Sequence, residues 1–168
     1  MIPAHTIRGL ALLCAVGCAR ASAPAVPAPL VAPGPVPLLA LAVSEISLQR
    51  SGCFFTAPCY GVTLHRDGTA EYRGYGNVRM LGLYRATVDS ATFMSLAAYM
   101  VRRNVWSLRG DYGPALEESD AAETTTTVVT SGDTLVIHRL DQYGPPVLNE
   151  VEGAVDVVVD HLRWIKAR

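Results

Sequence analysis

The chain has 168 residues, 50% hydrophobic and 17% charged, with a net charge of −1. That balance excludes a basic nucleic-acid-binding surface as a first reading, and the longest apolar run is too short for a membrane-spanning helix. The averages merge two unlike pieces: residues 1–43 hold 28 of the 84 hydrophobic residues, 7 of the 11 prolines and no acid, whereas 44–168 carry 12 basic and 15 acidic residues.

Arg8 precedes a short apolar stretch, Gly9 to Gly17, and then Cys18. A basic start, a short apolar core and small residues at its end form an export signal over residues 1–17. Ala15-Val16-Gly17-Cys18 resembles the bacterial lipobox, which implies lipidation of Cys18; cleavage after Ala19-Arg20-Ala21 is the rival. Cys14 follows the bulky Leu13 and reads as filler of the signal core. Residues 18–43 form a Pro/Ala-rich tether, with six prolines between positions 24 and 37. Prolines remove backbone donors and bias their predecessors away from helix, so an extended spacer of about 3 Å per residue is expected.

From residue 44 the pattern changes to that of one globular domain, 44–168. Alternation predicts strands over 44–50, 60–66, 69–74 and 81–88, with Asp67-Gly68 as a hairpin turn that places both central residues at positive φ. Asp89 is a helix N-cap, Val88 and Phe93 form a staple, and Phe93, Leu96, Ala97 and Met100 mark a helical face ending near Asn104. Val105–Leu108 reads as a short buried segment, and 111–120 as an irregular acidic loop. Two β-branched runs, 123–130 and 134–141, flank Ser131-Gly132-Asp133 as a second hairpin. After Pro145-Pro146, apolar residues from Leu148 to Ile165 step by three and four, predicting one helix through to Trp164. The order predicts an α+β fold: a single antiparallel sheet of about five to six strands with two helices packed on one face.

Cys53-Phe54-Phe55-Thr56-Ala57-Pro58-Cys59-Tyr60-Gly61-Val62-Thr63-Leu64, followed by Asp67-Gly68, resembles the opening of a bacterial family known as domain of unknown function 6438. That opening runs Cys-Phe-Gly-x-Cys-Pro-x-Tyr-x-Val-x-Ile before an Asp-Gly hairpin. The resemblance continues through Tyr72-Arg73-Gly74, Gly82-Leu83-Tyr84, Ser119-Asp120, Pro145–Asp156 and Trp164, about residues 44–166. It marks Phe54, Pro58, Tyr60, Asp67, Gly68, Asp120 and Trp164 as family positions and implies an exported, often lipid-anchored domain with no assigned activity. Two departures stand out: Phe55 replaces the usual glycine, and the second cysteine falls at Cys59 instead of at position 57. Two residues along a strand keep the same face, so Cys59 still reaches Cys53.

An even cysteine pair in an exported domain predicts a structural disulfide, Cys53–Cys59, over a thiol redox pair. Redox pairs use Cys-x-x-Cys at a helix start, and no helix is predicted there. His65, His138 and His161 have no second ligand at metal-site spacing. Asp111, Glu117, Glu118, Asp120 and Glu123 lack the regular calcium-loop spacing, although Asp120 suits a turn cap. No nucleophile elbow, phosphate loop or paired-acid motif is present. No catalytic residue, metal or cofactor is expected. The expected protein is an envelope lipoprotein, tethered to the outer membrane and facing the periplasm. Its domain is a non-catalytic binding or structural one, and its partners are the membrane and an envelope protein or peptide, not nucleic acid. The alternatives are a secreted soluble form, a small thiol enzyme or hydrolase using Cys53, Cys59 or a histidine, and an inhibitor-like module.

Overall fold

The computed structural model describes residues 35–53, 55–114 and 121–168. These form three helices, α1 (Leu38–Ala42), α2 (Ser90–Arg102) and α3 (Val147–His161). Eight strands accompany them: β1 (Val43–Ser51), β2 (Cys59–His65), β3 (Thr69–Gly76), β4 (Gly82–Thr87), β5 (Gly110–Tyr112), β6 (Glu123–Thr130), β7 (Thr134–Leu140) and β8 (Ile165–Lys166). They build one sheet in the order β5-β7-β6-β1-β2-β3-β4-β8.

The α+β class holds, with two additions at the sheet edges. β5 joins β7 in parallel, from a segment expected to be irregular. β8 pairs antiparallel with β4, from residues expected to be helical. Both are too short for a period-two pattern to register. α3 stops at His161, and Leu162 is already extended (ψ 148°). The apolar steps at Leu162 and Ile165 coincide with helical spacing but belong to a returning chain; Ile165 is 73% exposed.

Strand alternation separates two faces. Ile46 and Leu48 of β1, Val62 and Leu64 of β2, Ala70 and Tyr72 of β3, Val128 of β6, and Leu135 and Ile137 of β7 point inward. They join one core with Phe93, Leu96 and Met100 of α2 and Leu148, Val151 and Val155 of α3. The opposite positions are mostly polar, with Val136 and Tyr75 as exposed exceptions, as suits an antiparallel sheet with one wet face. Cross-strand partners interact there: Glu71 with Arg85 at 3.3 Å, Ser51 with Glu123 at 2.9 Å and Glu45 with His65 at 3.6 Å.

The end of the expected extended spacer is helical instead. Ala40 and Val43 are fully buried, and Arg66 donates to the carbonyls of Leu41 and Val43 while Arg102 donates to that of Pro35. The prolines stop at Pro37, where helix becomes permissible.

The first hairpin differs in turn type from expectation. Gly68 has φ +95°, but Asp67 is not at positive φ. The Asp67 carboxylate instead accepts from the Thr69 amide (2.8 Å) and hydroxyl (2.6 Å), as in a three-residue loop closed by a left-handed glycine. In the second hairpin the Thr130 hydroxyl bridges to both the amide and the carbonyl of Asp133.

Asp89 caps α2, accepting from the Thr92 amide (2.9 Å) and hydroxyl (2.6 Å), and Val88 and Phe93 are buried as the staple requires. Asn104, at φ +55°, ends the helix, and Val105 and Leu108 pin the following 3₁₀ turn to the core. Asp89→Ala is expected to cost about 1 kcal/mol at neutral pH, by denaturant unfolding. The Thr92 hydrogen bonds hold the Asp89 carboxyl below its ordinary value. Its contribution is therefore present above the unfolded-state pKa and fades as pH falls, so wild type and variant converge in acid.

Candidate functional site

Strand pairing sets a polar row across one end of the inward face: Arg139 opposite Thr124, Thr124 opposite Arg50, Arg50 opposite Tyr60. Each occupies an inward position of its strand, continuing the buried series of Ile137, Thr126, Leu48 and Val62. α3 lays Glu152 and Asp156, one turn apart, over this row. Arg139 Nη2 donates to Glu152 Oε2 at 2.6 Å and to Asn149 Oδ1 at 2.8 Å; Arg139 and Glu152 are 3% and 2% exposed. Arg50 Nη2 donates to Asp156 Oδ2 at 2.8 Å and its Nε to the Tyr60 hydroxyl at 3.1 Å. The Tyr60 hydroxyl in turn donates to Asp156 Oδ1.

Two guanidinium groups thus face two carboxylates, and the charges cancel within the network. Burial pushes the Tyr60 phenol well above its ordinary value, and its hydrogen bond to the Asp156 carboxylate pushes it further. The phenol therefore stays protonated and serves as a donor. Burial opposes the charge on Arg50, but Asp156, Tyr60 and Glu152 outweigh it, so the guanidinium holds its proton more firmly than usual.

Beside the row, an aromatic stack leads to a cleft. Tyr60 stacks on Tyr72 (centroids 5.4 Å apart), and Tyr72 meets Trp164 (5.5 Å) and the edge of Tyr84 (6.3 Å). β8 brings Trp164 there: the Ala167 amide donates to Leu83 O at 2.9 Å and Trp164 Nε1 to Val159 O at 2.9 Å. The cleft, about 610 Å³, lies between Tyr60, Tyr72 and Trp164, the β3–β4 connection (Asn77 to Met80) and the last turns of α3 (Asp156, Asp160). Gly74 is required beneath it, because a Cβ there would overlap the Met80 carbonyl oxygen.

Cys53 and Cys59 form a disulfide that closes the loop at the cleft's rim. A bulge between Cys59 and Tyr60 allows both successive side chains to be buried. The Asn77 side-chain amide reaches the carbonyls of Cys53, Phe55 and Ala57 at 3.3, 3.1 and 3.0 Å, tying the loop to the β3–β4 connection. Phe55 is 99% exposed at φ +51°, a conformation that favours glycine and is unusual for a bulky residue.

Of the residues marked by sequence, Pro58, Tyr60 and Trp164 meet at the cleft. Asp67 and Gly68 lie at the opposite end of the β2–β3 hairpin, as a turn. Cys18, Phe54 and Asp120 lie outside the described residues, as do Glu117 and Glu118. The histidines are dispersed: His65 beside Glu45, His138 at 3.8 Å from Asp111 and 3.9 Å from Glu123, His161 against the Val157 carbonyl. Among the described residues no group of three or more His, Cys, Asp or Glu is placed to hold a metal ion.

Sequence reasoning passed over Arg50, Arg139 and Glu152. The signal was present: each is a charge in the apolar phase of its element, Arg50 after Ile46 and Leu48, Glu152 between Leu148 and Val155. Tyr72 was marked only by the resemblance, and Asp160 and Arg79 carried no mark.

The family model for a domain of unknown function (DUF6438) matches residues 44–159. It takes in the polar row, the disulfide loop and the β3–β4 connection, and ends before Asp160 and Trp164. No curated protein matches the chain.

Glu152→Ala leaves Arg139 buried without its carboxylate and is expected to cost about 3–5 kcal/mol, whereas the double variant Arg139→Met, Glu152→Leu recovers most of that loss. Denaturant midpoints of the three proteins measure the difference. Phe55→Gly relieves the left-handed backbone and is expected to raise stability by up to about 1 kcal/mol in the same assay.

Proposed function

The chain belongs to the family described as domain of unknown function DUF6438, and from that premise we propose that it is an exported, lipid-anchored envelope protein whose domain binds a ligand without transforming it. The cleft is the observation that carries the binding part of this reading. At its inner wall the carboxylate and the Tyr60 phenol already satisfy one another: Asp156 is occupied by Arg50 and Tyr60, and the phenol is held protonated. Such a wall positions and excludes, but presents no activated nucleophile or base. The thiol-enzyme alternative loses its nucleophile while Cys53 and Cys59 are joined.

Export and anchoring rest on the sequence: the basic start, the short apolar core, the small residues before Cys18 and the proline-spaced segment behind it. The disulfide is in keeping with an oxidising compartment. A lipidated Cys18 holds more than one acyl chain, which suffices for stable attachment. The outer membrane, periplasmic side, is the proposed address.

Intact-mass measurement of the membrane-fraction protein tests the anchor. A chain that begins at an acylated Cys18 and gains two hydrogens on reduction is expected; an unlipidated species beginning at Ser22 overturns the anchor. For binding, a photo-crosslinking residue at Met80 is expected to give a reproducible adduct in intact cells, and one at Thr127, on the opposite face, none. No adduct at Met80 overturns the binding reading.

A further inference from the structure

We infer that the cleft takes a neutral, hydroxyl-rich ring, a sugar residue of a glycan; this deepens the binding reading above and rests on it. The first ground is charge. Asp156 is spent on Arg50 and Tyr60. Asp160 and Arg79 also line the cleft, are exposed, and have no ion-pair partner among the described residues. A cationic ligand drawn by Asp160 meets Arg79, and an anionic one drawn by Arg79 meets Asp160. A neutral polyol uses both, because a hydroxyl donates to the carboxylate and accepts from the guanidinium.

The second ground is Tyr72. It is 5% exposed, its hydroxyl has no hydrogen-bond partner among the described residues, and that oxygen is not sealed from solvent. A hydroxyl so placed is free to exchange water for a ligand hydroxyl, as donor or as acceptor, and Tyr72 lines the cleft.

The third ground is the shape of the wall. Val78, Met80, Leu162 and Trp164 are partly buried and apolar. The Trp164 N–H is taken by the Val159 carbonyl, so Trp164 offers the cleft only its ring carbons. A sugar ring has an apolar C–H face and a polar rim of hydroxyls. It matches a wall of this kind edged by one carboxylate, one guanidinium and one phenol. The volume, about 610 Å³, is that of a small-ligand site.

The test is calorimetric titration of the full-length protein in detergent. The probes are soluble oligosaccharides of glucose and of N-acetylglucosamine, with a lysine-rich and a glutamate-rich peptide as the other arm. Saturable binding of an oligosaccharide is expected, about tenfold weaker in Asp160→Asn and in Arg79→Ala, the effect of losing one hydrogen bond to a charged group. Glu71→Gln, on the opposite face, is expected to bind as wild type does. Both cleft substitutions are at exposed positions, and a thermal melt confirms that the variants fold. Oligosaccharide binding that neither variant weakens overturns the site. Peptide binding that both variants weaken, with no oligosaccharide bound, overturns the sugar assignment and leaves the binding reading standing. No binding of any probe overturns the sugar assignment, and the Met80 crosslink separately decides the binding reading.

Discussion

The placement of α3 over the sheet depends on two arginines whose charges the core must neutralise. Arg50 and Arg139 project inward from β1 and β7, either side of Thr124 on β6. A buried guanidinium is tolerable only with a carboxylate against it, and α3 supplies Glu152 and Asp156 one turn apart. The apolar stripe of Leu148, Val151, Val155 and Val158 turns one face of the helix to the sheet, and these two pairs fix that face at its polar end. A rotation by one residue, about 100°, would carry both carboxylates off the row. The observed setting of the helix also places Asp160 beside the cleft and aims the chain past Leu162 so that Trp164 lands on Tyr72.

Much of the fold was legible because its six longer strands alternate and its two longer helices keep their period. Asp89, Val88 and Phe93 identified the start of α2 from local chemistry alone. What escaped was short or non-local. β5 and β8 have three and two residues, and a two-residue strand has no periodicity to read. Ile165 fell on the helical step by coincidence. The site was legible only in part: Pro58, Tyr60 and Trp164 were marked by resemblance, and the charges at Arg50, Arg139 and Glu152 were visible as exceptions to an apolar phase. That Tyr72 meets Trp164, or that Asn77 serves three carbonyls, depends on pairings between segments far apart in the chain.

The disulfide loop shows how such a rim is made from little secondary structure. Cys53 and Cys59 close it covalently, Asn77 ties three of its carbonyls, and Cys53 packs closely against Gly76, where a Cβ would lie 3.3 Å from its Sγ. With its backbone so constrained, the loop presents Phe55 outward in a conformation that a free chain would avoid. The strain is local, and the ties around it are what maintain it.

The two walls of the cleft differ in how they are held, and this bears on its motions. The inner wall, Tyr60 and Tyr72, belongs to central strands and opens only with the domain. Trp164 is carried by a strand of two residues at the sheet's edge, the kind of element that detaches in sub-global openings well below the free energy of full unfolding. Amide exchange should therefore be graded across a few ångströms, slow at Tyr60 and fast at Ala167. The wall that Trp164 forms therefore lasts only as long as the β4–β8 pairing that carries it.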